Sequence, residues 1–114
     1  MIMISRININ DKKVLIVDTV HKAFIEILSG FGFIFTDGTQ LSKVEINNII
    51  HQYNGLIIRS RFELDEELIT NASQLKFIAR AGAGMENINV DFAVANGIAC
   101  LNAPEGNRNT KVNN

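Results

Sequence analysis

The sequence predicts a single α/β domain: a five-stranded parallel sheet with helices on both faces. Three observations carry that reading. Short apolar runs rich in β-branched residues alternate along the whole chain with segments of helical periodicity. The runs show no polar alternation, which suits strands buried on both faces. The 114 residues, 46% of them apolar, match one compact domain with a two-layer core.

The elements follow in order. Val14-Leu15-Ile16-Val17, ended by Asp18, is the first strand. Val20, Phe24, Ile27, Leu28 and Phe31 then recur at helical spacing, and Gly30 and Gly32 mark the stop. Phe33-Ile34-Phe35 is the second strand. Ser42-Lys43-Val44-Glu45 is a capping box, in which serine and glutamate each satisfy an amide that the helix start leaves unpaired, and Val44, Ile46, Ile49, Ile50 and Tyr53 supply the apolar face behind it. Gly55 to Ile58 is the third strand, Asp65 to Ala72 a helix, Leu75 to Ala79 the fourth strand, and Val90 to Ala95 a short helix closed by Asn96-Gly97. Ile98-Ala99-Cys100-Leu101 completes the sheet. Strands joined by helices pair in parallel through right-handed crossovers. The arrangement that closes is flavodoxin-like, in the order 2-1-3-4-5, and it opens a crevice at the carboxyl ends of strands 1 and 3, where their connections leave in opposite directions.

Chemistry collects at that crevice. Asp18-Thr19 ends the first strand, Arg59-Ser60-Arg61 ends the third, and the fourth runs through Arg80 into Gly82-Ala83-Gly84, a loop whose bare backbone lets N–H groups approach a ligand. Arg59, Arg61 and Arg80 are three of the eleven basic residues of an almost neutral chain, a concentration that suits a carboxylate or phosphate. Each has a plainer reading. Arg59 could be a solvated strand end, although its place at the switch point favours ligand contact. Arg80 is either a ligand contact or a bridge to Glu86 or Asp91, and Arg61 is read as exposed. Gly82 and Gly84 serve backbone torsion as well as approach. His21 lacks a carboxylate to orient it as a base and is assigned a local polar contact, while His51 lies near a helix C-terminus, where a cation is favoured. No Cys/His/Asp cluster suggests a metal, so neither a metal ligand nor a catalytic residue is assigned.

Composition removes other classes. A net charge of −1, spread along the chain, gives no reason to expect nucleic acid or an anionic membrane as partner. The apolar stretches fall short of the roughly 20 residues a bilayer needs, and Met1 to Asn10 carries Arg6 and the amides of Asn8 and Asn10 where a signal peptide needs an unbroken apolar core. The single cysteine, Cys100, sits in an apolar run and reads as a small buried side chain in a reducing, cytoplasmic setting. A phosphorylation-receiver domain shares the plan but needs an aspartate after strand 3 and a lysine after strand 5, where this chain has Arg59 and Asn102. A flavodoxin would need a Thr/Ser-rich phosphate loop after strand 1, and Asp18-Thr19-Val20-His21 does not supply it.

Lys13-Val-Leu-Ile-Val-Asp18, Gly55-Leu-Ile-Ile-Arg-Ser60, the stretch Leu75 to Ile88, and Asn96-Gly-Ile98 leading to Asn102-Ala-Pro-Glu-Gly-Asn-Arg108 together resemble the D-isomer-specific 2-hydroxyacid dehydrogenases, in their phosphoglycerate dehydrogenase-like branch. The resemblance implies a flavodoxin-like substrate domain over 13–104, an N-terminal extension over 1–12, and a crossover tail over 105–114 cut short of the NAD-binding Rossmann domain. It implies that Arg59, Ser60, Arg80, Ala83 and Gly84 line the substrate side of an interdomain cleft and bind a small anionic 2-hydroxy acid, with 3-phosphoglycerate and serine biosynthesis as the setting. NAD belongs to the full-length family. The family's dinucleotide turn, its carboxylate-binding arginine and its proton-transferring His and Glu lie outside what this chain matches, so no cofactor is assigned to the 114 residues and the chain alone is expected to be inactive. Phe62 stands where relatives often have a small hydroxyl residue, and Asn89 where an acid is common. A stand-alone, non-catalytic binding module is the alternative, and a homodimer is left open. The polar tail from Asn107 onward is expected to be poorly ordered or paired with another molecule.

Overall fold

The computed structural model describes residues 12–82 and 84–103; the proposed extension, the tail from Asn107 and Ala83 therefore lie outside the described residues. Five strands, β1 (Lys13–Ile16), β2 (Ile34–Asp37), β3 (Gly55–Ile58), β4 (Phe77–Ala81) and β5 (Ala99–Ala103), form one sheet in the order β2-β1-β3-β4-β5. Every pairing is parallel. The connections carry α1 (Lys22–Ser29), α2 (Lys43–Ile49) extended by a 3-10 turn at Ile50–Gln52, α3 (Glu66–Asn71) and α4 (Val90–Ala95). The predicted flavodoxin-like order is the observed one.

Side chains alternate across the sheet, as the pleat requires. Leu15, Val17, Leu56, Ile58 and Ile78 face a core closed by Ile46, Ile50, Leu68, Ile69 and Ala93 of the α2, 3-10, α3 and α4 layer. Val14, Ile57, Phe77 and Ala79 face the other way, where Leu28, Phe24 and Ile25 of α1 cover them. Strand β3 is buried along its whole length, so it needs apolar residues at every position. Its first residue is glycine for a spatial reason: Gly55 pairs with Phe77, whose ring occupies the space a Cβ would need. That ring also meets Phe33 edge-on, with centroids 5.5 Å apart.

Boundaries shift where tertiary contacts override local pattern. Leu75 belongs to the turn leaving α3, its N–H bonded to the Ala72 carbonyl at 3.1 Å, so β4 starts at Phe77 and carries Arg80 within the strand. The capping box forms as expected, with Ser42 Oγ accepting from Glu45 N and Glu45 Oε1 from Ser42 N. Two apolar faces differ from the reading. Val44 is 70% exposed because it stands two positions, about 200°, from Ile46 on the helix wheel. In α1 the buried stripe rotates toward Phe24, Ile25 and Leu28, leaving Ile27 in solvent, while Phe31 falls beyond the helix end.

Candidate anion-binding rim

The site is built from backbone that the strands deliver to their carboxyl ends. Parallel register sets Ile58 beside Arg80, and Arg80 beside Asn102, so the ends of β3, β4 and β5 reach one rim together. The loop after β3 is tied to β1 by Asp18, whose Oδ2 accepts from the N–H groups of Arg59 at 2.7 Å and Arg61 at 3.1 Å. One carboxylate oxygen thus fixes two amides of the Arg59-Ser60-Arg61 turn. This is a charge-assisted arrangement, stronger than neutral pairing. Arg59 Nη1 also donates to the Thr19 carbonyl at 3.3 Å.

Arg61 does not act as the third member of an anion cluster. Its Nη1 donates to the carbonyls of Val17 at 3.0 Å and Gly38 at 3.4 Å, and its Nη2 to that of Leu41. The guanidinium therefore holds the loops after β1 and β2, and its charge lies 5.4 Å from the Phe62 ring centroid, with the Lys43 ammonium 5.7 Å from the same centroid. Phe62 is half-buried beside both cations.

The β4 side is held by amides. Asn87 Oδ1 accepts from Arg80 Nε at 2.7 Å, while Asn87 Nδ2 donates to the Arg59 carbonyl at 2.8 Å and the Phe62 carbonyl at 3.1 Å. Neither ion pair considered for Arg80, with Glu86 or with Asp91, forms among the described residues. Asn102 Nδ2 donates to the carbonyls of Gly82 at 2.6 Å and Gly84 at 3.2 Å. Gly82 has φ +133°, a conformation L residues rarely adopt, and a Cβ there would come 2.8 Å from Arg80 Nη1. At Gly84 a Cβ would collide with the Glu86 carboxylate, so a negative charge also borders the rim.

Of the residues the sequence singled out, Arg59, Ser60, Arg80 and Gly84 stand on this rim, and Ala83 lies between described residues. His21 makes the local contact assigned to it, its Nδ1 accepting from Ala23 N at 3.0 Å as the N-cap of α1. His51 lies in the 3-10 turn at the end of the α2 segment. Burial pushes the Cys100 thiol up from its ordinary value, which makes it a poor nucleophile. Among the described residues no three His, Cys, Asp or Glu side chains stand together as a metal site, and no helix is long and apolar enough to cross a membrane.

Sequence reading missed Asn87, Asn102 and the bonding role of Asp18. Their signal is faint, since each is a common polar residue. For Asp18 and Asn102 position could have found them: they lie at or just past the carboxyl end of a strand, where backbone groups need partners, whereas Asn87 sits in the turn before α4.

The fold and the rim define an α/β domain of flavodoxin type whose polar residues gather at the carboxyl ends of its strands. The model of the D-isomer specific 2-hydroxyacid dehydrogenase catalytic domain matches residues 14–112, and this chain belongs to that family. It is 40% identical over 95 residues to a D-3-phosphoglycerate dehydrogenase of Synechocystis sp., covering 83% of this chain and 17% of that protein. Among solved structures it is similar to the NAD+-bound 3-phosphoglycerate dehydrogenase of Entamoeba histolytica, with 26% identity and a TM-score of 0.67 over 82% of this chain and 33% of that one. A glyoxylate reductase from Paecilomyes thermophila gives 26% identity and a TM-score of 0.68 over 82% of this chain and 32% of the other. The chain spans about a sixth of the Synechocystis protein.

Members of such a family bind a dinucleotide, and the described residues of this chain do not fit one. A pyrophosphate needs a glycine turn opening onto free amides at a helix start. Here all four α-helices begin under a side-chain cap, from His21, Ser42, Asp65 and Asn89. The Gly82 to Gly84 loop meets no helix directly: residues 84–89 intervene before α4, which has only six residues.

Proposed function

We propose that this chain is the substrate-binding portion of an NAD-dependent D-2-hydroxyacid dehydrogenase, with 13–104 as the substrate domain and Arg59, Ser60, Arg80, Ala83 and Gly84 as its contribution to the cleft. The observation that carries the reading is the meeting of the Asp18-fixed Arg59-Ser60 turn and the Asn87-held Arg80 at one rim of the sheet. A guanidinium beside the glycine-bearing end of β4 suits the carboxylate and phosphate of a phosphorylated hydroxy acid. The similarity to D-3-phosphoglycerate dehydrogenases supports 3-phosphoglycerate as that acid, in serine biosynthesis. In the assembled enzyme this rim would orient the substrate, bound NAD would accept the hydride, and the acid–base group would come from residues other than these.

One half of a cleft leaves its ligand open to water. The 114 residues alone should therefore bind D-3-phosphoglycerate with a dissociation constant near millimolar, on the order of −4 kcal/mol, hold NAD no better than nonspecifically, and form no NADH. Calorimetric titrations with each ligand, beside an NADH assay, test this. NAD binding tighter than phosphoglycerate binding, or turnover by the chain alone, would contradict it.

A further inference from the structure

We infer that Asn87 is a positioning residue, whose side-chain amide aims the Arg80 guanidinium at the bound anion and couples the two loops that frame it. The inference rests on the rim being an anion site.

The amide has one orientation that works. Both Nδ2 hydrogens are used on carbonyls of the β3 loop, at Arg59 and Phe62, and Oδ1 takes the Arg80 Nε–H. A flipped amide would set donor against donor at Arg80 and acceptor against carbonyl at both other contacts, so the network fixes it. Asn87 is itself anchored, its carbonyl accepting from Leu64 N at 2.8 Å beside the Leu64–Ile88 bridge. Arg80 is half-buried, and with Nε held by Asn87 and Nη1 lying where a side chain on Gly82 would intrude, its guanidinium is oriented by the bond at Nε.

That restraint decides which edge of the guanidinium a ligand meets. With Nε committed, the edge left for an anion is the Nη1/Nη2 pair, which can grip two carboxylate or phosphate oxygens in parallel. Because the same amide holds the Arg59 carbonyl, a shift of Arg80 on binding moves the Arg59-Ser60 turn as well. A residue that touches no ligand thus sets the angle between two that do.

A double-mutant cycle on the full 114-residue chain tests this, with D-3-phosphoglycerate as probe and NMR titration as readout. Asn87→Ala should raise the dissociation constant five- to tenfold when Arg80 is present, and markedly less when Arg80 is alanine, where only the hold on the Arg59 and Phe62 carbonyls is lost. Loss of equal size in both backgrounds would show a merely structural role and overturn the inference while leaving the anion site standing. No binding by the unaltered chain would overturn both. The Arg80 Nε–Hε resonance gives a readout without ligand: it should exchange slowly with water in the parent chain and quickly in Asn87→Ala, and unchanged exchange would contradict the inference. If Asn87→Ala does not fold, Arg80→Lys keeps the amide's bonds to Arg59 and Phe62 but lacks the fork. It should weaken binding to the same extent, and unaltered binding would count against the proposal.

Discussion

The two ends of the sheet are closed by opposite means. At the amino end a single buried residue, Asn54, 3% exposed, ties three strands: its side-chain Oδ1 accepts from Lys13 N at 3.0 Å, its backbone N–H donates to the Lys13 carbonyl at 2.7 Å, and its backbone carbonyl accepts from Lys76 N at 2.7 Å. At the carboxyl end the work is spread over Asp18, Arg61, Asn87 and Asn102, all in contact with solvent, and every one bonds to loop backbone. One end holds strands together and shuts water out; the other holds loops in place and leaves the rim open. The proposed ligand site follows the second pattern, where polar groups are already hydrated and held in place.

If that contrast is right, substitutions at the amino end cost stability and spare binding. Asn54→Ala removes the acceptor of the Lys13 amide within a buried site and should destabilise by about 2 kcal/mol, with phosphoglycerate shifts at the rim unaltered. Urea denaturation gives the first number and titration the second. Gly55→Ala should cost about 1–3 kcal/mol by forcing the Phe77 ring aside. Little change in either variant would remove the distinction between the ends.

Asp18→Ala should come next. Two amides of the Arg59 turn lose their shared acceptor, but both can turn to water, so about 1 kcal/mol is expected. The signature is local: faster amide exchange at Arg59 and Arg61, with the core unchanged.

Acid should loosen the carboxyl end first. Bonding to the Leu68 amide and then to Lys43 holds the Asp65 carboxyl below its ordinary 3.8, and bonding to the Thr39 hydroxyl and amide does the same for Asp37. Because both folded-state values are depressed, their stabilisation is present above about pH 3.8 and is lost as pH falls through and below that value. Amides of Leu68 and Thr39 should shift and exchange faster as pH is lowered below about 3.8, and Asp65→Asn should flatten the stability profile there. The smallest effect belongs to His21→Ala, where loss of the α1 cap should cost about 0.5 kcal/mol.

The sequence made the scaffold legible because buried parallel strands must be apolar at each position: Val14, Leu15 and Leu56-Ile57-Ile58 declare themselves without any contact being known. The switch point, and the place of Arg59, Ser60 and Arg80 beside it, followed from strand order; the binding role expected of them came from the family resemblance. Arg61 was harder, since a guanidinium at a strand end looks the same whether it awaits an anion or clamps carbonyls; only the positions of Val17, Gly38 and Leu41 decide it. Asn54, Asn87 and Asn102 were illegible for a related reason. An asparagine's role lies in the long-range backbone it meets, and nothing in its neighbours along the chain reports that.

The most direct measurement is an amide NMR titration of the 114-residue chain with D-3-phosphoglycerate. The open-rim reading predicts that Arg59, Ser60, Gly82 and Gly84 shift first and saturate together near millimolar ligand, while Lys13, Asn54 and Lys76 at the amino end stay fixed. Shifts led by the amino end, or confined to the outer edge at β2, would contradict it.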